Sequence, residues 1–163
     1  PYGDGGFLVP FVFPELDSQD KRIQRFNSCI ILHKYDEETF TDYDAAVRET
    51  FLRVIQPWQT MAANITQCKV VSSSSLHGLM LADAYGVPSR WIQQSKAIFP
   101  FKFLDYFDSV GHSKDGLRLK VVVHNDTLPV PEVASAQERS TYASQVIKSF
   151  PLTPFETKVV QSA

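Results

Sequence analysis

The chain has 163 residues, of which 44% are hydrophobic, so it has the length of one domain and can bury a sizeable core. Its formal net charge of -2, without a basic block, argues against a nucleic-acid-binding surface. No apolar run approaches the roughly 20 residues of a membrane helix, so we expect no transmembrane segment. Because no secretory signal opens the chain, we expect a cytoplasmic protein that can associate peripherally with a membrane.

The two cysteines, Cys29 and Cys68, each lie in an apolar run. Neither belongs to a group with metal-ligand spacing, so we expect two reduced, buried thiols and no metal site. Glycosylation sequons occur at Asn64 and Asn125, and without a secretory signal we expect both to be chance matches.

The first part of the chain predicts a glycine turn, an apolar segment and one buried strand. The glycines of Tyr2–Gly6 precede the apolar Phe7–Phe13, and Leu16–Asn27 is a polar connection. Ser28–Leu32 has the length and β-branched content of a buried strand, which ends at His33.

Helical spacing predicts a helix over the next segment. Thr41 and Asp44 resemble a capping box, and Asp44–Gln56 carries an apolar stripe that Pro57 ends. The stripe consists of Val47, Phe51, Val54 and Ile55. Trp58–Asn64 predicts a second, short helical turn.

The centre of the chain predicts a strand, a polar turn and a helix in immediate succession. Cys68–Val71 is a short apolar run typical of a buried strand, and the four serines Ser72–Ser75 follow it. Leu76–Tyr85 is apolar on nearly every side, which is typical of a buried helix. Serine is a preferred N-cap, and Gly86 with Pro88 beyond it suits the end of this helix.

The remaining chain predicts one further short strand at Arg90–Ile92 and an amphipathic helix at Phe101–Val110, joined by a loop that carries Lys96. The last predictions are a strand over Leu117–Val123, a proline-punctuated linker over Leu128–Val133, a surface helix over Ser135–Phe150 and a frayed tail from Pro151.

Strands separated by helices predict an α/β, Rossmann-like sandwich with a mostly parallel sheet. In such sheets, ligands bind outside the carboxyl ends of the strands. His33 ends one predicted strand and Ser72–Ser75 end another, with His77 in the first turn of the following helix. If these strands are neighbours, both histidines and the serine turn meet in one crevice, where free helix N–H groups favour an anion.

Each of these residues also has a simpler interpretation, which the sequence leaves open. The serine run can be a plain helix cap, and His77 can be a hydrogen-bonded core residue. His33 can be an exposed loop residue, and Lys102, considered alone, is expected to be a solvated lysine.

The segment Ser73–Pro88 resembles the signature of the polysaccharide pyruvyl transferase family, S-S-x-L-H-G-L followed by a-x-A-x-G-x-P. The resemblance covers roughly Pro1–Gly111. Gly3–Pro10 is similar to the family's G-D-P-(G/A)-x-L-x-P, Leu32–Tyr35 to its P-H-Y, and Phe101–Gly111 to its f-K-f-x-D-Y-y-x-S-x-G. The sequence departs from the pattern in three places. Gly5 stands in place of proline, Ser75 stands in place of the arginine that many members carry, and the aromatic residue after His33 is shifted by one position to Tyr35.

The resemblance implies transfer of the enolpyruvyl unit of phosphoenolpyruvate onto two hydroxyls of one sugar, giving a pyruvate ketal in exopolysaccharide or cell-surface glycan synthesis. It implies phosphoenolpyruvate as donor, a saccharide as acceptor and no cofactor. His77 is the expected catalytic acid or base. The implied substrate-binding residues are His33, Ser73, Ser74, Ser75, Gly78 and Lys102.

The family fold resembles a two-domain, GT-B-type transferase with the site between its halves. Residues 1–150 are then expected to be the C-terminal half, and residues 151–163 a flexible tail. The family's R-G-P motif is absent here and is expected in a half that precedes Pro1, so we expect an incomplete site or self-association. The alternatives are a GT-B-type glycosyltransferase half that binds a nucleotide sugar, with Asp83 or Asp105 at the ribose, and a non-catalytic Rossmann-like module.

Overall fold

Four short strands form one all-parallel sheet in the order β2-β1-β3-β4 within the residues that the computed structural model describes, which are 5–17, 23–37, 51–92, 98–110 and 135–149. The strands are β1 (Cys29–Leu32), β2 (Phe51–Arg53), β3 (Val71–Ser73) and β4 (Ser89–Trp91). Parallel neighbours need crossover connections, and helices supply them. The predicted α/β, Rossmann-like fold is therefore confirmed, in keeping with the resemblance to half of a GT-B-type transferase.

The helices of the described ranges lie where the apolar periodicity predicted most of them. They are α1 (Val9–Val12), α2 (Lys34–Glu37), α3 (Trp58–Ile65), α4 (Leu76–Ala84), α5 (Phe101–Ser109) and α6 (Ala136–Ser149), with 3₁₀ turns at Gly5–Leu8 and Pro14–Leu16. The predictions for α3, α4, α5 and α6 are confirmed to within one residue at each end. None of these helices is long and apolar enough to cross a membrane.

Helix α4 ends where the glycine and proline predicted. The N–H of Val87 donates to the carbonyl of Ala82 at 2.8 Å, and the N–H of Gly86 donates to that of Asp83 at 3.0 Å. These two bonds define a Schellman motif, which needs a left-handed residue, and Gly86 has a φ of 64°. Pro88 follows and cannot continue the helix.

Helix α4 also separates two apolar clusters, which explains why it is apolar on nearly every side. One cluster lies between α4, α3 and the sheet, and its α4 members are Leu81 and Ala82. The other joins Leu79, Met80 and Ala84 of α4 to Trp91 and to helices α5 and α6. Every residue from Gly78 to Ala84 is buried, so only the first turn of this helix reaches the surface.

The predicted helix over Asp44–Gln56 is wrong in its last third, because Phe51–Arg53 is strand β2. Phe51 pairs with Ile30 and Leu52 with Ile31 in parallel register. Aromatic and β-branched residues also favour strands, and pairing with the sheet overrides a helical spacing. Residues 38–50 lie outside the described part.

The predicted strand over Cys68–Val71 begins too early. Strand β3 covers Val71–Ser73, so Ser72 and Ser73 lie in the sheet and only Ser74 and Ser75 form the turn. Strand β3 is central, with β1 on one side and β4 on the other. This two-sided pairing holds its polar last residues in the extended conformation.

The expectation of reduced thiols is wrong, because Cys29 and Cys68 form a disulfide. Both residues are buried, and both lie at the amino ends of segments that run parallel towards the same edge of the sheet. Main-chain bonds align these segments, since the N–H of Cys29 donates to Val70 and the N–H of Lys69 donates to Phe26.

Several predictions lie outside the described residues. They concern Lys96, the strand over Leu117–Val123, the linker over Leu128–Val133 and the tail from Pro151. The division of the chain at residue 150 also stays a prediction.

Candidate active site

The carboxyl ends of β1 and β3 lie next to each other and bring His33 to the serine turn. The main-chain N–H of His33 donates to Ser74 Oγ at 2.9 Å, and the N–H of Ser74 donates to the carbonyl of Ile31 at 3.0 Å. The expectation that these two strands are neighbours is therefore confirmed, and the crevice that depends on it stays a prediction.

Ser73 holds the turn together from inside. Its hydroxyl lies 2.9 Å from the carbonyl oxygen of Ile31 and 2.8 Å from that of Ser75, and it accepts a bond from the N–H of Ser75 at 3.0 Å. The side chains of Ser73, Ser74 and Ser75 are all buried. The hydroxyls of Ser73 and Ser74 shape the turn in this structure. The contact of all three serines with substrate stays a prediction.

The first turn of α4 presents main-chain donors. Ser75 is the N-cap residue, with an extended backbone and no side-chain cap bond. The N–H groups of Leu76, His77 and Gly78 have no acceptor inside the helix, as in every α-helix. In the described part of the chain they lie beside His33 and are available to an anion, which the helix dipole also favours.

Gly78 is a glycine because α4 lies directly against the sheet. A Cβ at this position would lie 2.5 Å from Ser73 Oγ and 3.1 Å from Ile31 Cγ2. The first distance is too short for a methyl group and the second is tighter than ordinary van der Waals contact, so a side chain here would push the helix from the turn. The predicted contact between Gly78 and substrate rests on its main-chain N–H alone.

His77 is exposed in the first turn of α4, unlike the core residue of the simpler interpretation. Its imidazole is perpendicular to the indole of Trp58, with ring centroids 5.6 Å apart. An exposed imidazole beside free N–H groups is placed to exchange a proton with a bound anion.

His33 is half-buried and lies among charged groups. Burial is the largest cause that lowers its pKa below the ordinary 6.5, and the positive charge of Lys102 is the next. Lys34 and His77 also lower this pKa, whereas the carboxylate of Asp36 raises it. Its Nδ1 accepts a long bond from the N–H of Tyr35 at 3.4 Å, so the neutral ring carries its proton on Nε2.

Lys102 lies in the first turn of α5, which follows β4 along the chain. Its charge acts on His33, and its Nζ lies 5.2 Å from the ring centroid of Phe103. The structure brings His33 to the serine turn and to His77, which lie in two separate segments of the sequence. The contact of Lys102 with substrate stays a prediction.

A cleft of about 150 Å³ lies next to His77. It is lined by Val54, Gln56, Trp58, Met61, His77, Gly78 and Leu81. The sequence did not single out Trp58 as a site residue. Trp58 directly follows Pro57, and this pair predicts the start of a helix. The position of Trp58 beside His77 depends on the position of β2 in the sheet.

Of the two acids considered for a nucleotide ribose, Asp83 is held by other side chains of the fold. Asp83 is buried and accepts bonds from the hydroxyls of Ser89, at 2.9 Å, and Tyr106. Asp105 is exposed on α5. Asp83 therefore joins α4 to β4 and α5, and nothing at these positions favours a nucleotide sugar.

Fold and site together define a Rossmann-like α/β protein with two histidines and a serine turn at the carboxyl edge of its sheet, where helix α4 begins. A family model described as polysaccharide pyruvyl transferase matches residues 7–95, more than half of the chain. The chain belongs to the polysaccharide pyruvyl transferase family. Membership implies a transferase with a saccharide acceptor. No curated protein and no solved structure matches the chain.

Proposed function

We propose that the protein transfers pyruvate from phosphoenolpyruvate to one sugar of a polysaccharide or of its lipid-linked precursor. The product is a pyruvate ketal, phosphate is released and no cofactor is used. The observation that carries this proposal is the bond from the N–H of His33 to Ser74 Oγ, which holds His33 next to the turn that leads into α4 and His77. The matched range 7–95 contains both histidines and the whole of α4.

Phosphoenolpyruvate carries two anionic groups, and the crevice offers two kinds of partner for them. The N–H groups of Leu76–Gly78 suit the phosphate, because oriented donors at a helix amino end bind anions without rearrangement. Lys102 supplies a full positive charge to the same region and takes the place of the arginine that many relatives carry where this chain has Ser75.

The reaction needs an acid, and His77 is the group that we assign to this role. A proton from His77 goes to carbon three of the enol, and carbon two becomes an oxocarbenium-like centre. The first sugar hydroxyl adds to carbon two, and its proton returns to His77. The bond from carbon two to the phosphate oxygen then breaks, and the second hydroxyl adds to the same carbon. The proton of this hydroxyl leaves with the phosphate, and the ketal ring is closed.

The site has two halves, and we assign to this chain the half that binds phosphoenolpyruvate. The R-G-P motif that the resemblance implies is not among its residues. A second half, from the same polypeptide or from another copy, is expected to complete the site.

The disulfide indicates the kind of compartment in which the protein functions. Thiols stay reduced in most cytosols, and buried disulfides persist in oxidising compartments. The bond between Cys29 and Cys68 therefore favours an oxidising compartment over the cytoplasm expected from the sequence. Thiol labelling of the denatured protein, isolated from its own cells without reductant, tests this: two labelled cysteines would support the cytoplasm.

Binding of the donor is tested by NMR on the chain itself. Phosphoenolpyruvate should shift the amides of Leu76–Gly78, inorganic phosphate should shift them weakly, and UDP should leave them in place. The reverse order, with UDP active and phosphoenolpyruvate inert, would contradict the proposal. Acceptor-dependent release of phosphate from phosphoenolpyruvate then tests the reaction.

A further inference from the structure

We propose that the cleft beside Trp58 is the acceptor subsite, in which one pyranose ring of the saccharide stacks on the indole. This inference rests on the proposed function, because it names where the second substrate of that reaction binds. The shape, the chemistry and the position of the cleft each support it.

Nothing in the packing of the described residues requires the side chain of Trp58 to be exposed. Its exposed fraction is 49%, whereas that of Trp91 is 3%. Trp91 stacks on Phe103 in the core, with ring centroids 4.7 Å apart. Trp58 begins α3 at the mouth of the cleft, where much of its large apolar surface contacts water. Aromatic surface beside a cleft is a common feature of ligand sites.

The walls of the cleft match the two kinds of surface on a sugar ring. One face of a pyranose presents C–H groups, and Val54, Met61 and Leu81 give the cleft an apolar lining. The hydroxyls lie around the edge of the ring, and Gln56 is a polar group of this lining. Few polar groups on an apolar wall are typical of selective small-ligand sites.

Gln56 is held in place by its neighbours. Its Nε2 donates to the carbonyl of Arg53 at 2.7 Å and lies 3.3 Å from Met61 Sδ, and its Oε1 accepts from Asn64 Nδ2 at 3.3 Å. An amide oxygen has two lone pairs, so Oε1 has the capacity to accept a second bond from a sugar hydroxyl.

The position of the cleft relates it to the donor site. His77 lies in the first turn of α4, where the main-chain donors are, and its ring contacts that of Trp58. A donor on the amino end of α4 and a sugar on Trp58 would therefore have His77 between them. This is the arrangement that proton transfer to the enol and addition of a sugar hydroxyl both require.

The volume indicates the size of the occupant. At about 150 Å³, the cleft is smaller than the roughly 300 to 1,000 Å³ of pockets that bury a drug-sized ligand. It suits one monosaccharide unit, with the rest of the glycan outside. A nucleoside diphosphate is larger and would leave most of its surface in water.

The two tryptophans of the chain provide an internal control for the test. Methyl glycosides of the common hexoses are titrated at tens of millimolar, the range of affinity expected for a single ring. At least one should shift the indole N–H signal of Trp58 and leave that of Trp91 unchanged. In Trp58→Ala, the glycoside should no longer shift the amides of the lining residues Met61 and Leu81, which the wild type is expected to show. The Trp91 signal should stay in place, which reports that the variant is folded.

Steady-state kinetics distinguish whether Trp58 binds the acceptor or only positions His77. Trp58→Ala should raise the acceptor KM about tenfold to a hundredfold, the usual loss for a well-packed aromatic anchor, and leave the KM for phosphoenolpyruvate unchanged. Trp58→Phe should recover most of the affinity. A fall in kcat with an unchanged acceptor KM would instead mean that Trp58 only positions His77, and would overturn the proposal.

The titrations also distinguish failure of the acceptor subsite from failure of the proposed function. Failure of every glycoside to move the Trp58 signal, while phosphoenolpyruvate shifts Leu76–Gly78, would overturn the subsite and leave the donor site intact. A Trp58 signal that responds to UDP but to no glycoside would overturn both.

Discussion

The main-chain N–H of His33 donates to Ser74 Oγ at 2.9 Å across 41 residues of sequence. This bond joins the end of β1 to the turn before α4, so the imidazole of His33 and the free N–H groups of α4 are held in one arrangement. Ser74 acts here through its hydroxyl as an acceptor for the main chain. Ser74→Ala is therefore expected to alter the position of His33 and to leave the N–H groups of Leu76–Gly78 available.

His77→Gln tests the catalytic assignment. Removal of the acid should lower the rate about 10² to 10⁴-fold, the usual contribution of a general acid or base. Binding of phosphoenolpyruvate should fall less, because the main-chain donors remain. Rates are measured with the complete enzyme, and binding by titration.

Ser74→Ala is the matched control for this variant. We expect a smaller loss of rate, because no proton donor is removed. Near-full turnover in His77→Gln together with an inactive Ser74→Ala would show that His77 is not the acid.

Gly78→Ala tests the close contact between α4 and the serine turn. The added methyl group would lie 2.5 Å from Ser73 Oγ, and overpacking of this kind costs about 1 to 3 kcal/mol of the free energy of unfolding. Gly5→Ala is the matched control, since a Cβ there meets nothing within 4 Å. Urea unfolding measures both, and equal losses in the two variants would rule out this explanation of Gly78.

Lys102→Met tests whether α5 brings its charge to His33. The positive charge lowers the pKa of His33, so its removal should raise that pKa, as followed by NMR titration of the imidazole. Lys69→Met is the control, because Lys69 is exposed and is not among the causes of the shift. A pKa of His33 that responds equally to both variants would place Lys102 away from the site.

His33 also makes stability depend on pH. Its folded pKa lies below the 6.5 of the unfolded chain, so the folded state prefers the neutral ring. Above pH 6.5 the two states bind the same number of protons at this residue. As the pH falls below 6.5, the unfolded state takes up more, and the free energy of unfolding falls until the folded pKa is passed. The difference between wild type and His33→Gln should shrink or reverse over this window, and a constant difference would contradict the shift.

Loss of the disulfide should destabilise the chain substantially. Cys29 and Cys68 are 39 residues apart, and closing a loop of this length stabilises a protein by about 4 kcal/mol in the chain-entropy account. The double variant Cys29→Ala/Cys68→Ala and the reduced wild type should therefore unfold at similarly lower urea concentrations. An unchanged midpoint under reductant would show that the bond is not formed in solution.

Much of the fold was predictable because local signals and tertiary packing agree. The serine turn, the apolar run of α4 and Gly86 each favour the same element, and α4 ends as they predicted. Phe51 shows the opposite case, because its helical spacing and its aromatic side chain favour different structures. Only the neighbouring strand decides between them, and that strand lies about twenty residues earlier in the sequence.

The part of the candidate site that lies at the carboxyl ends of strands could be predicted from the sequence. His33, Ser74 and His77 could be placed in one crevice once their strands were assumed to be neighbours. The roles of Cys29 and Trp58 depend on which segments lie side by side. No local sequence pattern at either residue predicts which segments these are. The two cysteines do share one signal, since each precedes or begins a buried strand, and parallel strands align their amino ends.

The position of α4 between two apolar clusters has a consequence for the energetics of donor binding. Residues Gly78–Ala84 are buried on both sides, so the N–H groups of the first turn are fixed when the chain folds. The conformational entropy of this half of the site is thus lost during folding and not when phosphoenolpyruvate arrives, which is the condition for tight binding with few contacts. Amide hydrogens in the interior of α4 should accordingly exchange only through global unfolding, in the empty protein as well as in the occupied one.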